Sequence, residues 1–180
     1  FWMLDLNQCL NTAKSAALLA GKFLVNAKGK SLEVLSNTGR DLKLQLDIDT
    51  EKLIKDHISS DSSYPILGEE TGSSEDLGNL YWVVDPLDGT KEFIEGIPHF
   101  AVSIGFVYKG EPVVGVIYNP ATDEMFSCQN GKGVYLNGNK VIASQKNHLI
   151  DSSITVSRSE FKRNEWEPFR NDFKSIKPCL

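Results

Sequence analysis

Cysteine is scarce in this sequence, and what there is does not pair up. Cys9, Cys128 and Cys179 are three residues set far apart, with neither a disulfide framework nor a C-x-x-C metal pattern. That points to a reducing compartment, and the cytoplasm is the expected location. No stretch collects Lys and Arg, and the formal net charge is −5. A nucleic-acid surface needs a basic stripe to displace counterions, so that class of partner is excluded. No apolar run approaches the roughly 18 residues needed to span a bilayer, which removes a membrane-crossing role. Internal repeats and low-complexity tracts are missing too. The glycines of GKGVYLNG lack dinucleotide spacing and read as hairpin turns. The opening FWMLDLNQCL lacks the basic-then-apolar layout of a secretory signal. It also does not begin with Met, so the natural start is expected to have been altered or lost.

What is present is enough Val, Ile, Leu and Phe, in 180 residues, for one good-sized domain or one domain plus the beginning of another. Apolar residues from Leu4 to Ala27 (Leu6, Leu10, Ala13, Ala17, Leu18, Phe23, Leu24) recur at helical spacing. A polar connection is expected over 28–40, with Gly29 and Gly39 as breakers. DLKLQL, Asp41 to Leu46, alternates like a short strand, and Thr50 to Ser59 is helical again. From Phe100 onward AVSIGFVY, PVVGVIYN, EMFSCQ and GVYLNG are short β-rich runs, with Asn130–Gly131 and Asn137–Gly138 as hairpin signals. The expected fold is α+β, two helices packed on a large antiparallel sheet. The first domain is expected over 1–152, and the start of an incomplete one over 153–180.

The chemistry concentrates in WVVDPLDGTKEF, Trp82 to Phe93. Pro86 has no N–H and a fixed φ, so the strand ladder is expected to stop there and the chain to turn. Asp85 and Asp88 would then face one side, with an unpaired Leu87 carbonyl between them. Converging carboxylates and a carbonyl make a hard-oxygen site suited to Mg²⁺. Gly89 and Thr90 open an expected helix, TKEFIE. Its first amides are unsatisfied donors at a positive dipole end, a setting that favours phosphate. An acidic chain that takes an anionic substrate needs such a cation to attract it. On spacing alone, DPLDG is equally a surface turn with an Asp helix cap, since Asp, Pro and Gly are the commonest turn residues.

Upstream, Asp47-Ile48-Asp49-Thr50-Glu51 alternates acids as an EF-hand loop does. Lys52, however, stands where that loop requires Gly, and Ile58 where it requires a bidentate Glu. Asp47 is otherwise simply the N-terminal acid of the following helix. His57 and His148 read as surface residues and His99 as structural, since no partner His lies near it.

WVVDPLDGTKEF resembles the W-x-x-D-P-[IL]-D-G-T signature of the inositol monophosphatase family, the lithium-sensitive, magnesium-dependent sugar-phosphate phosphatases. LGEET, Leu67 to Thr71, is similar to that family's first acidic motif, and GIPHFAVSIGF and GKGVYLNG to its following segments. The resemblance covers nearly the whole chain and implies the layered α/β sandwich of the sugar phosphatase superfamily. It makes Glu69 a ligand of the first metal, with Asp85 bridging two metals and the Leu87 carbonyl completing the first site. Asp88 would bind the second metal. Thr90, with Asp47 or Glu69, would position and deprotonate the attacking water. The Gly89 and Thr90 amides would hold the phosphate. Asp49 takes the place of Asp47 if the loop has slipped by two, and Glu70 would support the site from behind its ligands. The complete family site takes two or three Mg²⁺ ions. The implied mechanism is in-line attack of metal-activated water on the phosphoryl group, with the leaving alkoxide stabilised by the second metal.

The expected function is therefore Mg²⁺-dependent hydrolysis of a small phosphate monoester, inositol monophosphate or a similar sugar or nucleotide phosphate, by a homodimer. KEF after DGT resembles the branch that hydrolyses 3′-phosphoadenosine 5′-phosphate, a 3′(2′),5′-bisphosphate nucleotidase. GIPHFAVSIG resembles the inositol monophosphatase branch. The family carries a further aspartate in a W-D motif, which has no counterpart here: Trp166 precedes Glu167, and neither Trp2 nor Trp82 precedes Asp. The expectation is a truncated member with weak or absent phosphatase activity. The other class in play is a non-catalytic domain that binds metal or phosphate, or self-associates.

Overall fold

Asp5 starts the first helix: its carboxylate accepts the amides of Asn7 (2.9 Å) and Gln8 (3.2 Å), donors that have no partner within the helix itself. The computed structural model describes residues 4–38 and 40–179, with side chains throughout except over 28–44. Helix α1 spans Leu6–Thr38. Its inward stripe, Cys9, Ala13, Ala16, Ala17, Ala20 and Leu24, is buried at the three- and four-residue spacing of one helical face. Four of those six side chains are alanine, so the helix axis lies close to the sheet beneath. At Gly21 a Cβ would sit 2.5 Å from the Tyr118 ring and 3.0 Å from Pro120.

Helix α2, Arg40–Asp61, buries Asp47, Thr50, Glu51, Ile54 and Ile58. It lies beside α1, with the Ser15 hydroxyl 2.7 Å from His57 Nε2 and the Thr12 hydroxyl donating to Asp61 at 3.4 Å. Two expectations are corrected here. Helix α1 continues through Gly29 to Thr38, where a polar connection was expected; Gly39, the second expected breaker, lies outside the described residues. DLKLQL belongs to α2 and is not a strand. Its alternation sets Leu against Lys and Gln, all good helix formers without β-branching. The helical spacing of the buried set that follows overrides so short a run of period two.

Strands β1 (Ile66–Gly68), β2 (Leu80–Asp88), β3 (Ala101–Tyr108), β4 (Glu111–Asn119), β5 (Glu124–Gln129), β6 (Gly133–Leu136) and β7 (Asn139–Val141) form one sheet in chain order. All neighbours pair antiparallel except β1 and β2, which run parallel. The sheet is thus mixed at one edge, where a wholly antiparallel one was expected. Residues 69–79 carry the chain back to the start of β2, so it re-enters in the same direction. The hairpin between β6 and β7 turns on Asn137 and Gly138, with φ of 48° and 81°. Positive φ at both central residues gives the turn a twist that matches its strands.

Trp82 and Val84, Val102, Ile104 and Phe106, and Val114, Val116 and Tyr118 make up the helix-facing layer of the core. Phe106 is its hub, 4.7 Å from the Trp82 ring and 5.2 Å from Tyr64, in the tilted geometry aromatic quadrupoles prefer. Short helix α3 (Thr90–Ile94) follows β2. Phe93 is wholly buried and meets Phe100 edge-on at 5.0 Å, which fastens α3 and the start of β3 to the same core.

These elements form a first compact unit, Phe1–Val141; a second comprises Ile142–Leu180. The division falls after the last strand of the meander, whereas the sequence suggested Ser152. Taken by itself, the second unit pairs β8 (Ser153–Val156) parallel with β9 (Ser175–Pro178), with α4 (Arg158–Lys162) between them. Ser157 and Glu160 close a capping box at the start of α4. Glu160 also accepts from the Trp166 indole N–H at 3.3 Å.

Because the α1 face is shaved to small residues, Gly21→Val should force the Tyr118 ring aside. A loss of about 1–3 kcal/mol is expected, read as a lower urea midpoint with an unchanged slope.

Candidate metal and phosphate site

The DPLD segment does not leave the sheet at Pro86. Strand β2 runs on to Asp88, and its register against β3 shifts between Asp85, opposite Ser103, and Asp88, opposite Ala101. This is a bulge, the place where a sheet tolerates a residue without an N–H. Asp85 and Asp88 stand three apart in a period-two strand, so a regular ladder would send them to opposite faces. Their partners are two apart, and the extra residue returns both aspartates to one face. Pro86 and Leu87 are buried beneath. The predicted common side for the two carboxylates is present, but through a bulge in place of a chain reversal.

The Leu87 carbonyl was expected to be unpaired. It accepts the Thr90 hydroxyl at 3.0 Å, which leaves one of its two lone pairs for another partner. The Leu87 amide donates to Asp85 Oδ1 at 3.1 Å, fixing that carboxyl.

Glu69 arrives from the turn that follows β1. Its amide donates to the Val84 carbonyl at 3.0 Å, which ties the turn to β2 one residue before Asp85. Burial and the neighbouring Glu69 carboxyl raise the Asp85 carboxyl to about 7, with Asp88 adding to the effect. Two carboxyls this close cannot both ionise unless positive charge joins them.

A divalent cation suits that position. Every available donor is a hard oxygen: Glu69, Asp85 and Asp88 carboxylates and the Leu87 carbonyl. Among the described residues no three acidic, His or Cys side chains converge closely enough to enclose a cation by themselves. An ion here would take much of its shell from water, which accords with Mg²⁺, an ion slow to dehydrate. The residues present therefore fit the metal.

Gly89 caps α3 with φ of 83°, and no side chain caps the helix start. A Cβ at Gly89 would fall 2.7 Å from the His99 carbonyl and 3.1 Å from the Phe100 Cα. Only glycine fits that conformation and that closeness. Thr90 is half-buried beside it, and His99 is exposed.

On α2, Asp47 is 4% exposed and lies one turn before Glu51, on the same inward face. Asp49 points outward and accepts from Gln45 at 2.8 Å. Of the two candidate acids, Asp47 is the one on the inward face.

Glu51 was missed. It entered the sequence reading only as one of several alternating acids, yet it is fully buried against the turn that carries Glu69. It accepts the amides of Glu70 (2.8 Å) and Thr71 (3.2 Å), and Lys55 lies 3.0 Å away. The signal available was its place four residues after Asp47 and three before Ile54, on the helix's apolar stripe. An acid in such a stripe needs partners.

What these residues can do together is hold a hard cation beside an anion, at the edge of a mixed sheet covered by two helices. The chain belongs to the inositol monophosphatase family, whose sequence pattern matches residues 5–177. It is 35% identical over 157 residues to "Inositol monophosphatase 2" of Solanum lycopersicum, covering 84% of this chain and 59% of that protein. It is 33% identical over 177 residues to the "Fructose-1,6-bisphosphatase/inositol-1-monophosphatase" of Aquifex aeolicus, covering 97% of this chain and 67% of the relative. The crystal structure of extragenic suppressor protein suhB from Bartonella henselae superposes with a TM-score of 0.77 at 32% identity, over 94% of this chain and 69% of that one. The expected α+β sandwich is the fold these structures share. No described helix is long and apolar enough to cross a membrane.

Burial alone would raise the pKa of Glu51. The Thr71 hydroxyl, the Glu70 amide and Lys55 outweigh it and hold the carboxyl below its ordinary value of 4.5. A depressed folded-state pKa stabilises above the unfolded value and is lost as pH falls through the folded one. Wild-type protein should therefore lose stability on acidification below about pH 5, and Glu51→Gln should show a flatter acid limb in melting temperature between pH 6 and 3.

Proposed function

We propose that this protein hydrolyses a small phosphate monoester with Mg²⁺, and that inositol monophosphate is its first candidate substrate. The carrying observation is that the parallel pairing of β1 with β2 brings the turn bearing Glu69 against the end of β2, its amide 3.0 Å from the Val84 carbonyl, one residue before Asp85 and just upstream of the glycine that caps α3. Glu69, Asp85, Asp88 and the Leu87 carbonyl would hold the metal. When bound, Mg²⁺ supplies a lowered water pKa and neutralises charge developing on the phosphoryl group. Thr90 would position the attacking water, and the carboxylate of Asp47 or Glu69 would receive its proton. The Gly89 and Thr90 amides hold phosphate oxygens.

The name of the tomato relative supports the inositol phosphate reading. A bisphosphate substrate is the second reading. Lys91, immediately after the DGT motif, is an exposed side chain whose ammonium lies 4.0 Å from the Glu95 carboxylate, and a second phosphate would compete with that acid for it. The reading also includes lithium inhibition, a homodimer and a cytoplasmic location.

Phosphate release from inositol 1-phosphate, fructose 1,6-bisphosphate and 3′-phosphoadenosine 5′-phosphate by the purified protein ranks these substrates. Release should vanish with a chelator and return with Mg²⁺. Asp88→Asn should lower kcat/KM by more than about 100-fold with the fold intact. If wild type and Asp88→Asn both bind Mg²⁺ and neither releases phosphate, the protein is a binding domain and the hydrolytic reading is wrong.

A further inference from the structure

Burying a carboxylate is unfavourable unless hydrogen bonds and charge compensate it. Glu51 is 0% exposed, and nearly everything that compensates it comes from one short segment. The amides of Glu70 and Thr71 donate to it at 2.8 and 3.2 Å, and the Thr71 hydroxyl at 2.5 Å. Lys55, one turn on in the same helix, lies 3.0 Å from it and also donates to the Thr71 hydroxyl (2.7 Å) and the Gly72 carbonyl (2.8 Å). Helix α2 thus grips the whole turn after β1 through one acid and one base.

We propose that Glu51 is a positioning residue for the cation site, holding the turn so that Glu69 meets Asp85. The assignment rests on the metal reading above and adds to it a group that acts through the turn's backbone. Glu69 lies between two anchors. Its own amide is bonded to Val84 on β2 at 3.0 Å, and the next two amides are drawn into Glu51 on α2. Gly68 and Gly72 close the turn with reciprocal 3.1 Å bonds. With amides 70 and 71 directed at the helix, the Glu69 side chain stands on the exposed side, and its amide ties it to β2 one residue before Asp85.

The fit between acid and turn is close. A Cβ on Gly68 would lie 2.2 Å from the Glu51 carboxyl, so that glycine clears the space the acid occupies. Gln at position 51 would set an NH₂ group against donors already crowded there, and would lose the charge that Lys55 meets. Asp is one methylene shorter and would withdraw from the turn.

Two measurements on the purified protein test this. Mn²⁺ affinity is read by electron paramagnetic resonance of the free ion, and amide hydrogen exchange is followed over residues 68–72. Glu51→Gln should bind Mn²⁺ about 10- to 100-fold more weakly. Its Glu70 and Thr71 amides should exchange faster, while those of β3 and β4 keep their protection. Mn²⁺ binding equal to wild type overturns the assignment and leaves the metal reading standing. A wild-type protein that binds no Mn²⁺ overturns both. If Glu51→Gln does not fold, Thr71→Val decides, since it removes one donor and keeps the buried charge compensated. Weaker Mn²⁺ binding and faster exchange at the turn support the assignment, and unchanged values overturn it.

Discussion

Glu69 and Asp85 come from different segments brought to the same end of paired strands, where each would repel the other if both were charged. Burial adds to the repulsion by weakening the solvation of Asp85. Such a pair persists only with a proton or a cation between its oxygens. This electrostatic debt explains why the surrounding backbone is so tightly specified. The parallel pairing of β1 with β2, Ile66 to Gly68 against Trp82 to Val84, delivers the two acids to the same end of neighbouring strands.

The scaffold behind the pair is stiff where it has to be. Trp82 of β2 and Phe106 of β3 meet at a tilt in the core, and Phe93 meeting Phe100 edge-on fastens α3 to the start of β3. The alanine face of α1 and the isoleucines of α2 close the other side of that core. Asp85 and Asp88 are carried on such a strand, and Glu69 sits on an exposed turn whose backbone is anchored to Val84 and Glu51. Preorganisation of this sort is what a metal site needs from its protein.

Much of this was legible from residue patterns. The β meander from Ala101 to Val141 announced itself through alternating apolar residues and Asn-Gly turns, because strand period and turn chemistry are local properties. Glu69, Asp85 and Asp88 stood out as candidates because the motifs that carry them are short and contiguous. Helix α2 was misread at its start because DLKLQL alternates over a window too short to reveal the buried face that decides it. The bulge at Pro86 was misread as an exit from the sheet. A missing N–H permits either outcome, and only the neighbouring strand selects one.

The order of residues alone determined which side chains are candidates for chemistry and which turns fold back, since both are read within a few positions. The tertiary structure decided which face those side chains share. A three-residue step places Asp85 and Asp88 together only once β3 has imposed its register. Glu51 becomes an internal acceptor only once the turn at Glu70 and Thr71 has packed onto α2. Pairing between distant segments sets proximity, so the raised pKa of Asp85 is a property of the assembled fold and not of the motif in which it is written.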